Sequence, residues 1–244
     1  MSQSPHMSLA DAIAAGVSND NTADSIHHTN ERLRAAIGKV VCVGRNYAAH
    51  AKELNNPVPT EPLLFIKPAS CVVSPEGGFN IPQDRGAVHY EIEIAVLIGK
   101  PLSREPSVEE VIDAISGFAP ALDLTLRDVQ ERLKEKSWPW EVAKSFDGAC
   151  VLAPFISGFA VSDTTDINVR LTINGEVRQD SNSGEMLYPI IPLIQHMAGQ
   201  FALQPGDVVL TGTPAGVGPL QAGDELIMEL PGRTAVTTRV LQRN

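Results

Sequence analysis

From Lys39 onward the chain is a succession of short apolar runs of strand type, many of them ended by Gly or Pro. The runs are VVCVG, LLFIK, YEIEIAVLIG, VRLTING, DVVLTGT and DELIMEL. Helical periodicity is confined to a few segments, so the strands do not alternate regularly with helices of crossover length. This pattern argues against a doubly wound sheet or an α/β barrel. It predicts a mainly β domain with short helices, of the α+β class.

A few segments of the β-rich part have the spacing of an amphipathic helix. They lie around Tyr47–Leu54, Ser107–Ile115, Asp128–Lys136 and Tyr188–Phe201. In the second of these, Ser107 stands three residues before Glu110. This is the pattern of a capping box, so we predict that a helix begins at Ser107.

The first 38 residues differ from the rest of the chain, because they are rich in Ser, Asn, Asp and His. Their apolar content is a short patch, LADAIAAGV. We predict an arm over residues 1–38 that is partly helical, at Ser8–Ala15 and at Asn30–Ile37, and that packs loosely or not at all. Residues 39–244 are predicted to form one β-rich domain.

Charge and composition argue against several classes of protein. The 244 residues include 29 Asp and Glu against 19 Lys and Arg, a formal net charge of −10. Clustered Lys and Arg, which binding to nucleic acid or to an anionic membrane requires, are absent from the sequence. No apolar run approaches the roughly 18 residues of a membrane span, and no signal peptide is apparent. We therefore expect a cytoplasmic protein.

The cysteines are Cys42, Cys71 and Cys150, an odd number that cannot all pair with one another. Each lies in an apolar run, and none lies in a metal-binding or nucleophile signature. A reduced, intracellular chain fits this usage. We predict that all of them are small buried apolar side chains.

The segment HYEIEIAVLIG contains a pair of carboxylates on one side of a strand. Because successive side chains point to opposite faces, Glu91 and Glu93 share a face, roughly 7 Å apart at Cα. Such carboxylates repel each other on a partly apolar face unless a cation lies between them. The alternative is a solvated strand end, and the pattern alone favours neither interpretation.

A third carboxylate, Asp123, lies inside the apolar run FAPALDLTLRDVQ, where an unpaired charge is costly. Glu91, Glu93 and Asp123 together would make an all-oxygen site with open positions, which suits Mg²⁺ or Mn²⁺ and suits zinc poorly. His89 is an additional candidate, but such a histidine more often orients a ligand than binds the metal.

The segment VGRNYAAHAKEL places His50 and Glu53 on one face of a short predicted helix. At this spacing a carboxylate can orient an imidazole and raise its basicity, as a general base that activates water requires. An exposed pair without a role is the alternative. Pro57 and Pro59 end the helix, so the segment could act as a lid.

Two further segments offer groups that could bind an anionic substrate. In LTGTPAGVG, a Gly-rich turn after an apolar strand, backbone N–H groups and the Thr213 hydroxyl could receive a carboxylate or an oxyanion, although a tight strand connection explains the turn equally well. The turn lacks the ending of a phosphate-binding loop. In WPWEVAKSFD, Lys144 could bind a carboxylate or share in proton transfer, with a surface lysine as the alternative.

Taken together, these segments resemble the fumarylacetoacetate hydrolase family, in particular its short, single-domain acylpyruvase branch. The resemblance runs from about Lys39 to Val240, and the first 38 residues are not covered. It rests on motifs in a fixed order: VVCVGRNYAAHAKE, EPLLFIKP, VHYEIEIAVLIG, ALDLTLRDVQ, PWEVAKSFD and GDVVLTGTPAGVGPLQAGDE. The resemblance implies the family's mixed β-sandwich roll, dependence on Mg²⁺ or Mn²⁺, a 2-oxo acid substrate and a homodimer.

The resemblance also implies roles for individual residues. The family's E-x-E…D metal ligands match Glu91, Glu93 and Asp123, and its His–Glu dyad matches His50 and Glu53. The family's catalytic lysine matches Lys144. Its substrate-contacting positions match Arg127, Gln130 and Thr213.

The function implied first is hydrolysis of an acylpyruvate, such as acetylpyruvate or fumarylpyruvate, to pyruvate and a carboxylic acid, with oxaloacetate decarboxylation as a side activity. The alternative is an oxaloacetate tautomerase or a 5-carboxymethyl-2-hydroxymuconate-type isomerase that uses the same site without attack by water. A third possibility is a non-catalytic domain that binds Ca²⁺ or a ligand, although Ca²⁺ favours more oxygen ligands than a carboxylate triad supplies.

Overall fold

The computed structural model describes residues 23–158 and 162–242. More of the described residues lie in strands than in helices, so the predicted mainly β, α+β fold is confirmed. The helices are α1 (Ala23–Ala36), α2 (Ala48–Glu53), α3 (Val108–Ala114), α4 (Arg127–Glu135), α5 (Glu141–Lys144) and α6 (Ile190–Gln200). The strands are β1 (Lys39–Gly44), β2 (Leu63–Pro68), β3 (Val72–Val73), β4 (Val88–Tyr90), β5 (Ile92–Ile98), β6 (Ile115–Asp123), β7 (Thr125–Leu126), β8 (Cys150–Leu152), β9 (Ile156–Ser157), β10 (Asn168–Ile173), β11 (Glu176–Asn182), β12 (Val208–Leu210), β13 (Gly218–Pro219), β14 (Glu225–Leu230) and β15 (Thr234–Arg239).

The largest sheet has eight strands, in the order β2-β1-β12-β5-β6-β8-β3, with β9 paired to β6. Its central strand, β5, is buried along its whole length. The side chains of Ile92 and Ile94 pack into one apolar cluster, whereas those of Ala95 and Leu97 pack into another on the opposite side. The alternation predicted for this strand therefore places apolar groups on both faces of the sheet, so β5 is a core strand.

Two smaller sheets complete the roll. One has four strands in the order β11-β10-β14-β15, and the other has three in the order β13-β4-β7. The segment predicted as one strand over HYEIEIAVLIG is divided at Glu91. The part before Glu91 belongs to the three-stranded sheet and the part after it to the eight-stranded sheet. Glu91 thus lies where the chain passes from one sheet to the next.

The predicted helices of the β-rich part are present, with ends that differ by one or two residues. The capping box is confirmed, since the Glu110 N–H donates to Ser107 Oγ at 3.2 Å and the Ser107 N–H donates to Glu110 Oε2 at 2.7 Å. The sequence analysis did not predict α5, which at four residues is too short to show a helical period.

The described part of the predicted arm is helical and packed. Arg34 Nε donates to Val72 O at 2.9 Å, and the Ser74 N–H donates to Asn30 Oδ1 at 2.7 Å. Ile37 is only 4% exposed. The expectation of loose packing is therefore wrong for Asn30–Ile37, because α1 covers apolar residues beside β3. The predicted helix at Ser8–Ala15 lies outside the described residues, and the domain division at residue 39 stays a prediction.

The cysteines are free and buried, as the sequence analysis predicted. Burial raises the pKa of the Cys150 thiol to about 12. Within the described ranges, none of the helices has both the length and the apolarity that a membrane crossing needs.

Candidate metal and active site

The candidate site lies at one edge of the eight-stranded sheet, where several strand ends meet. Strand β6 runs antiparallel to β5, and the Asp123 N–H donates to Glu91 O at 2.9 Å. On the other side of β5, β12 ends at Leu210, and the Thr211 N–H donates to Ile94 O at 3.2 Å. Strand β1 is parallel to β12, so its end at Gly44 lies at the same edge. The register of the sheet thus brings together segments that are distant in the chain.

The three predicted metal ligands form a buried cluster at this edge. A carboxylate oxygen from each of Glu91, Glu93 and Asp123 lies within 4.8 Å of the others. The three residues are 4%, 1% and 1% exposed, respectively. A solvated strand end is therefore ruled out for Glu91 and Glu93. His89, the additional candidate, is not part of this cluster.

Buried cations surround two of the carboxylates. Lys144 Nζ lies 2.7 Å from Glu91 Oε2 and 2.7 Å from Asp123 Oδ2. Arg127 forms an ion pair with Glu91 Oε1, and Lys67 Nζ lies 2.8 Å from Asp123 Oδ1. Lys144 is only 3% exposed, so the alternative of a surface lysine is wrong.

These contacts set the charge state of Glu91 and Lys144. Burial would raise the pKa of Glu91, but Lys144 and Arg127 outweigh it and hold that pKa well below its ordinary value. Burial would lower the pKa of Lys144, but Asp123 and Glu91 outweigh it and raise that pKa. Both groups are therefore ionised at neutral pH.

Glu93 is different, because within the described residues no cation makes an ion pair with it. Its Oε2 accepts a 2.6 Å hydrogen bond from the Gly212 N–H. The pKa of Glu93 is raised well above its ordinary value. Burial is the largest cause, and repulsion from Asp123 is the next largest. Positive charge is therefore deficient on the Glu93 side of the cluster.

The cluster fits a divalent cation. Asp123 Oδ1 is buried and has no partner with hydrogen-bond geometry in the described residues, even though the Lys67 ammonium lies 2.8 Å away. A divalent cation between Glu93 and Asp123 would relieve the repulsion that raises the Glu93 pKa. The donor set contains only oxygen, which suits Mg²⁺ or Mn²⁺.

The predicted His–Glu pair is formed on α2. His50 Nδ1 lies 3.3 Å from Glu53 Oε2, and Glu53 Oε1 accepts a 3.0 Å hydrogen bond from the Gly216 N–H. His50 is 5% exposed, so the alternative of an exposed pair is wrong for the imidazole. Burial lowers the pKa of His50, although Glu91 and Glu53 partly offset it. The imidazole is therefore neutral at pH 7 and available as a base.

The residues expected to contact substrate are buried near the cluster and bonded to neighbours. Arg127 Nη1 donates to Gln130 Oε1 at 2.6 Å. The Thr213 hydroxyl accepts a 2.9 Å hydrogen bond from Gln179 Nε2. Arg127, Gln130 and Thr213 all line the same cavity as the carboxylates, and their contact with a substrate stays a prediction.

The cavity at this edge has a volume of about 420 Å³, which includes space open to solvent. It contains the predicted ligands, His50 and the predicted substrate-contacting residues. Its other lining residues are Val43, Gly44, Arg45, Leu54, Asn56, Phe65, Lys134, Trp140 and Lys144. One compartment therefore combines a buried carboxylate cluster, a neutral imidazole and several cations.

The sequence analysis missed three buried residues that hold this site together. Lys67 Nζ donates to Ala149 O at 3.0 Å and also bonds to the Lys144 carbonyl oxygen, which positions α5. Gln179 accepts from the Ile92 N–H at 2.9 Å, and Asn46 Nδ2 donates to Thr211 O at 2.8 Å. Lys67 stands in the apolar run LLFIK, which was a usable signal, whereas nothing local marks Gln179.

The fold and the acidic cluster together describe a β-rich protein with a buried group of carboxylates that could hold a divalent cation. The family model described as fumarylacetoacetate (FAA) hydrolase, C-terminal, matches residues 39–241. The chain therefore belongs to the fumarylacetoacetate hydrolase family, a family of enzymes.

Several relatives match over most of their length. The chain is 50% identical over 206 residues to the oxaloacetate tautomerase YcgM of Escherichia coli (strain K12), covering 84% of this chain and 93% of that protein. It is 42% identical over 231 residues to the mitochondrial oxaloacetate tautomerase FMP41 of Saccharomyces cerevisiae, with coverages of 81% and 88%. The solved fumarylpyruvate hydrolase of Pseudomonas aeruginosa, in complex with Mn²⁺ and pyruvate, matches with a TM-score of 0.79 at 34% identity, covering 85% of this chain and 91% of that chain.

Proposed function

We propose that this protein is a divalent-metal-dependent oxaloacetate tautomerase, which interconverts the enol and keto forms of oxaloacetate. The observation that carries the proposal is the buried cluster of Glu91, Glu93 and Asp123, with oxygens within 4.8 Å, in the same cavity as His50. Two similar proteins, at 50% and 42% identity, are named oxaloacetate tautomerases, which favours this activity over the hydrolysis that the sequence analysis placed first.

In this proposal Glu91, Glu93 and Asp123 hold Mg²⁺ or Mn²⁺. When bound, the cation supplies a Lewis acid that polarises the 2-oxo group of the substrate. The presence of Mn²⁺ and pyruvate in the related fumarylpyruvate hydrolase supports this assignment.

Arg127, Gln130 and Thr213 are the proposed positioning groups for the substrate. They lie on α4 and in the Gly-rich turn, both of which contribute residues to the lining of the cavity. The ammonium of Lys144 stays charged between Glu91 and Asp123, so it acts by electrostatic stabilisation of developing negative charge and not as a base.

The proton transfer is assigned to His50. Conversion of the enol to the keto form removes the proton from the enol oxygen and adds a proton to the neighbouring carbon. A proton on Nδ1 that faces Glu53 at 3.3 Å leaves Nε2 as the basic nitrogen. His50 then takes the enol proton, and the imidazolium returns a proton to carbon, so the enzyme ends the cycle unchanged.

The test is the rate at which the ultraviolet absorbance of the enol disappears in the presence of purified protein and Mg²⁺ or Mn²⁺. We expect acceleration above the spontaneous rate that a chelator abolishes and that Glu93→Gln lacks. An unaccelerated rate with both metals would show that the proposal is wrong.

Hydrolysis of an acylpyruvate is the second candidate, because the His50–Glu53 pair could also deprotonate water. The P. aeruginosa relative is a fumarylpyruvate hydrolase, which supports this candidate at 34% identity. Release of pyruvate from acetylpyruvate and fumarylpyruvate, measured with lactate dehydrogenase, separates the two activities.

A homodimer and a cytoplasmic location stay predictions.

A further inference from the structure

Arg45 is a cation in the cavity to which neither the metal cluster nor the proton transfer gives a role. It directly follows β1 and is half-buried. It lines the same cavity as His50, Asp123 and Arg127. Its side chain is therefore in position to meet a molecule bound beside the metal cluster.

The backbone at Arg45 lies in the left-handed region, with φ of 61°. This conformation suits Gly and, to a lesser degree, Asn, and it is unfavourable for a long side chain such as that of arginine. Unfavourable backbone conformations are concentrated at functional sites, where the surrounding structure holds them. Arginine at this position thus carries a cost to folding that Asn would reduce.

The other Lys and Arg side chains that line the cavity are already paired with carboxylates. Lys144 and Arg127 contact carboxylates of the cluster. Lys134 donates to Glu131 at 2.9 and 3.0 Å. In the described part of the chain, the Arg45 guanidinium makes neither a hydrogen bond nor an ion pair, and its electrostatic neighbour is Glu131. Partial burial lowers the pKa of Arg45, so its charge is incompletely solvated.

We propose that Arg45 binds the distal carboxylate of the substrate and thereby selects dicarboxylic 2-oxo acids over monocarboxylic ones. The inference rests on the proposed function, since it extends the substrate assignment of that same site. A guanidinium is well suited to this task because it can donate two parallel hydrogen bonds to one carboxylate. The 2-oxo acid end of the substrate lies at the metal cluster, and the second carboxylate lies against Arg45.

A pair of substrates that differ in one charge tests the proposal. Oxaloacetate has a distal carboxylate, whereas 2-oxosuccinamate carries a neutral amide of nearly the same shape. We expect the wild-type protein to favour oxaloacetate in kcat/KM. Arg45→Gln is expected to lower kcat/KM for oxaloacetate by about 10- to 100-fold, mainly through KM, because a charge-assisted pair is lost. For the amide the change is expected to stay within about threefold.

Two variants complete the design. Arg170→Gln removes the same charge from an exposed site, where Arg170 pairs with Asp180 at 2.9 Å outside the cavity, and it should leave the preference unchanged. Arg45→Asn relieves the left-handed backbone, so its melting temperature should equal or exceed that of the wild type while the preference is lost. This combination separates loss of recognition from loss of folding.

The outcomes distinguish the inference from the function on which it rests. If the wild type converts oxaloacetate and Arg45→Gln keeps the wild-type ratio between the two substrates, the role of Arg45 is wrong and the tautomerase function stands. If the wild type converts neither substrate, the tautomerase function is wrong. Calorimetric titration of the metal-loaded protein with oxaloacetate and the amide then decides the role of Arg45, since equal binding of both compounds by wild type and Arg45→Gln would overturn it.

Discussion

Lys67 Nζ lies 2.8 Å from Asp123 Oδ1, with side-chain exposures of 0% and 1%. The same ammonium donates to the Ala149 carbonyl at 3.0 Å. A lysine this deep in the sheet therefore serves the acidic cluster and the backbone around α5 at once. Removal of the lysine leaves a buried carboxylate and several carbonyl groups short of a partner.

Lys67→Met is expected to destabilise the protein by about 3–5 kcal/mol, because it breaks a buried ion pair from one side. The midpoint and slope of urea unfolding measure this loss. Lys100→Met is the control, since Lys100 pairs with Asp113 at 2.5 Å on the surface and should contribute at most about 1 kcal/mol. Equal effects of the two substitutions would contradict the structural role of Lys67.

Glu93→Gln is expected to stabilise the metal-free protein as pH rises. The folded-state pKa of Glu93 is raised, so its ionisation opposes folding above the unfolded value of about 4.3, and glutamine avoids this cost. The advantage over wild type should be small near pH 4 and grow toward neutral pH, measured by urea unfolding with a chelator. Glu91→Gln is the matched control with the opposite sign, because the pKa of Glu91 is lowered.

Bound metal should reverse the order of stability between the wild type and Glu93→Gln, so that the wild type becomes the more stable protein. At Mn²⁺ concentrations about 100 times Kd, the wild type should gain about 2.7 kcal/mol, whereas Glu93→Gln should gain much less. Thermal unfolding with and without Mn²⁺ measures the effect. A variant that is stabilised by Mn²⁺ as strongly as the wild type would remove Glu93 from the ligand set.

His50→Gln is expected to lower the rate of proton transfer by about 10²–10⁴-fold with little change in stability. Since burial lowers the pKa of His50, the acidic limb of the kcat/KM profile should fall below the ordinary histidine value of about 6.5. Glu53→Gln should shift this limb and lower the rate less than His50→Gln. A profile unchanged in both variants would assign the acidic limb to another group.

Gly212→Ala should disrupt the turn that bonds to Glu93. Gly212 has φ of 94°, and an added Cβ would lie 2.6 Å from the Asn46 Cβ. Gly232→Ala is the control, because its φ of 76° imposes backbone strain while nothing lies within 4 Å of the added Cβ. We expect Gly212→Ala to cost about 1–3 kcal/mol more than the control in urea unfolding. Equal losses of unfolding free energy in the two variants would show that small shifts of Asn46 remove the close contact.

The native thiols should resist alkylation. Cys42, Cys71 and Cys150 are 0%, 1% and 0% exposed, and burial raises the pKa of Cys150 to about 12. At pH 8 the thiolate fraction is therefore far below that of an ordinary cysteine. A colorimetric thiol reagent should label the folded protein very slowly and the denatured protein completely. Rapid labelling of the native protein would contradict this burial.

The acidic cluster could be predicted from the sequence because the patterns that indicate its three carboxylates are local. Alternation along a strand places Glu91 and Glu93 on one side, and the position of Asp123 in an apolar run indicates burial that needs compensation. The break at Glu91 could not be predicted in this way, since a two-residue period continues unchanged when the chain passes between sheets. The contact between Glu91 and Asp123 depends on register, which only the folded sheet supplies.

The supporting residues were harder to predict for a similar reason. Gln179 reaches Thr213 at 2.9 Å across 34 positions of sequence, and Lys67 reaches Ala149 across 82 positions. Neither hydrogen-bond partner is visible in a local pattern, because the run LLFIK indicates that Lys67 lies in an apolar strand but not which groups its ammonium contacts. The helix at Glu141–Lys144 was missed because a single turn has no period.

The hydrogen bond between Glu53 and the Gly216 N–H joins positions 163 residues apart. Helix α2 has six residues, too few to hold its shape alone, so this bond and the burial of Ala51 maintain it. During synthesis, the segments that carry Glu91, Glu93 and Asp123 emerge well before Gly216. The support that Gly216 gives to Glu53 therefore arrives later than the segments that form the acidic cluster, so helix α2 is fixed in place after that cluster.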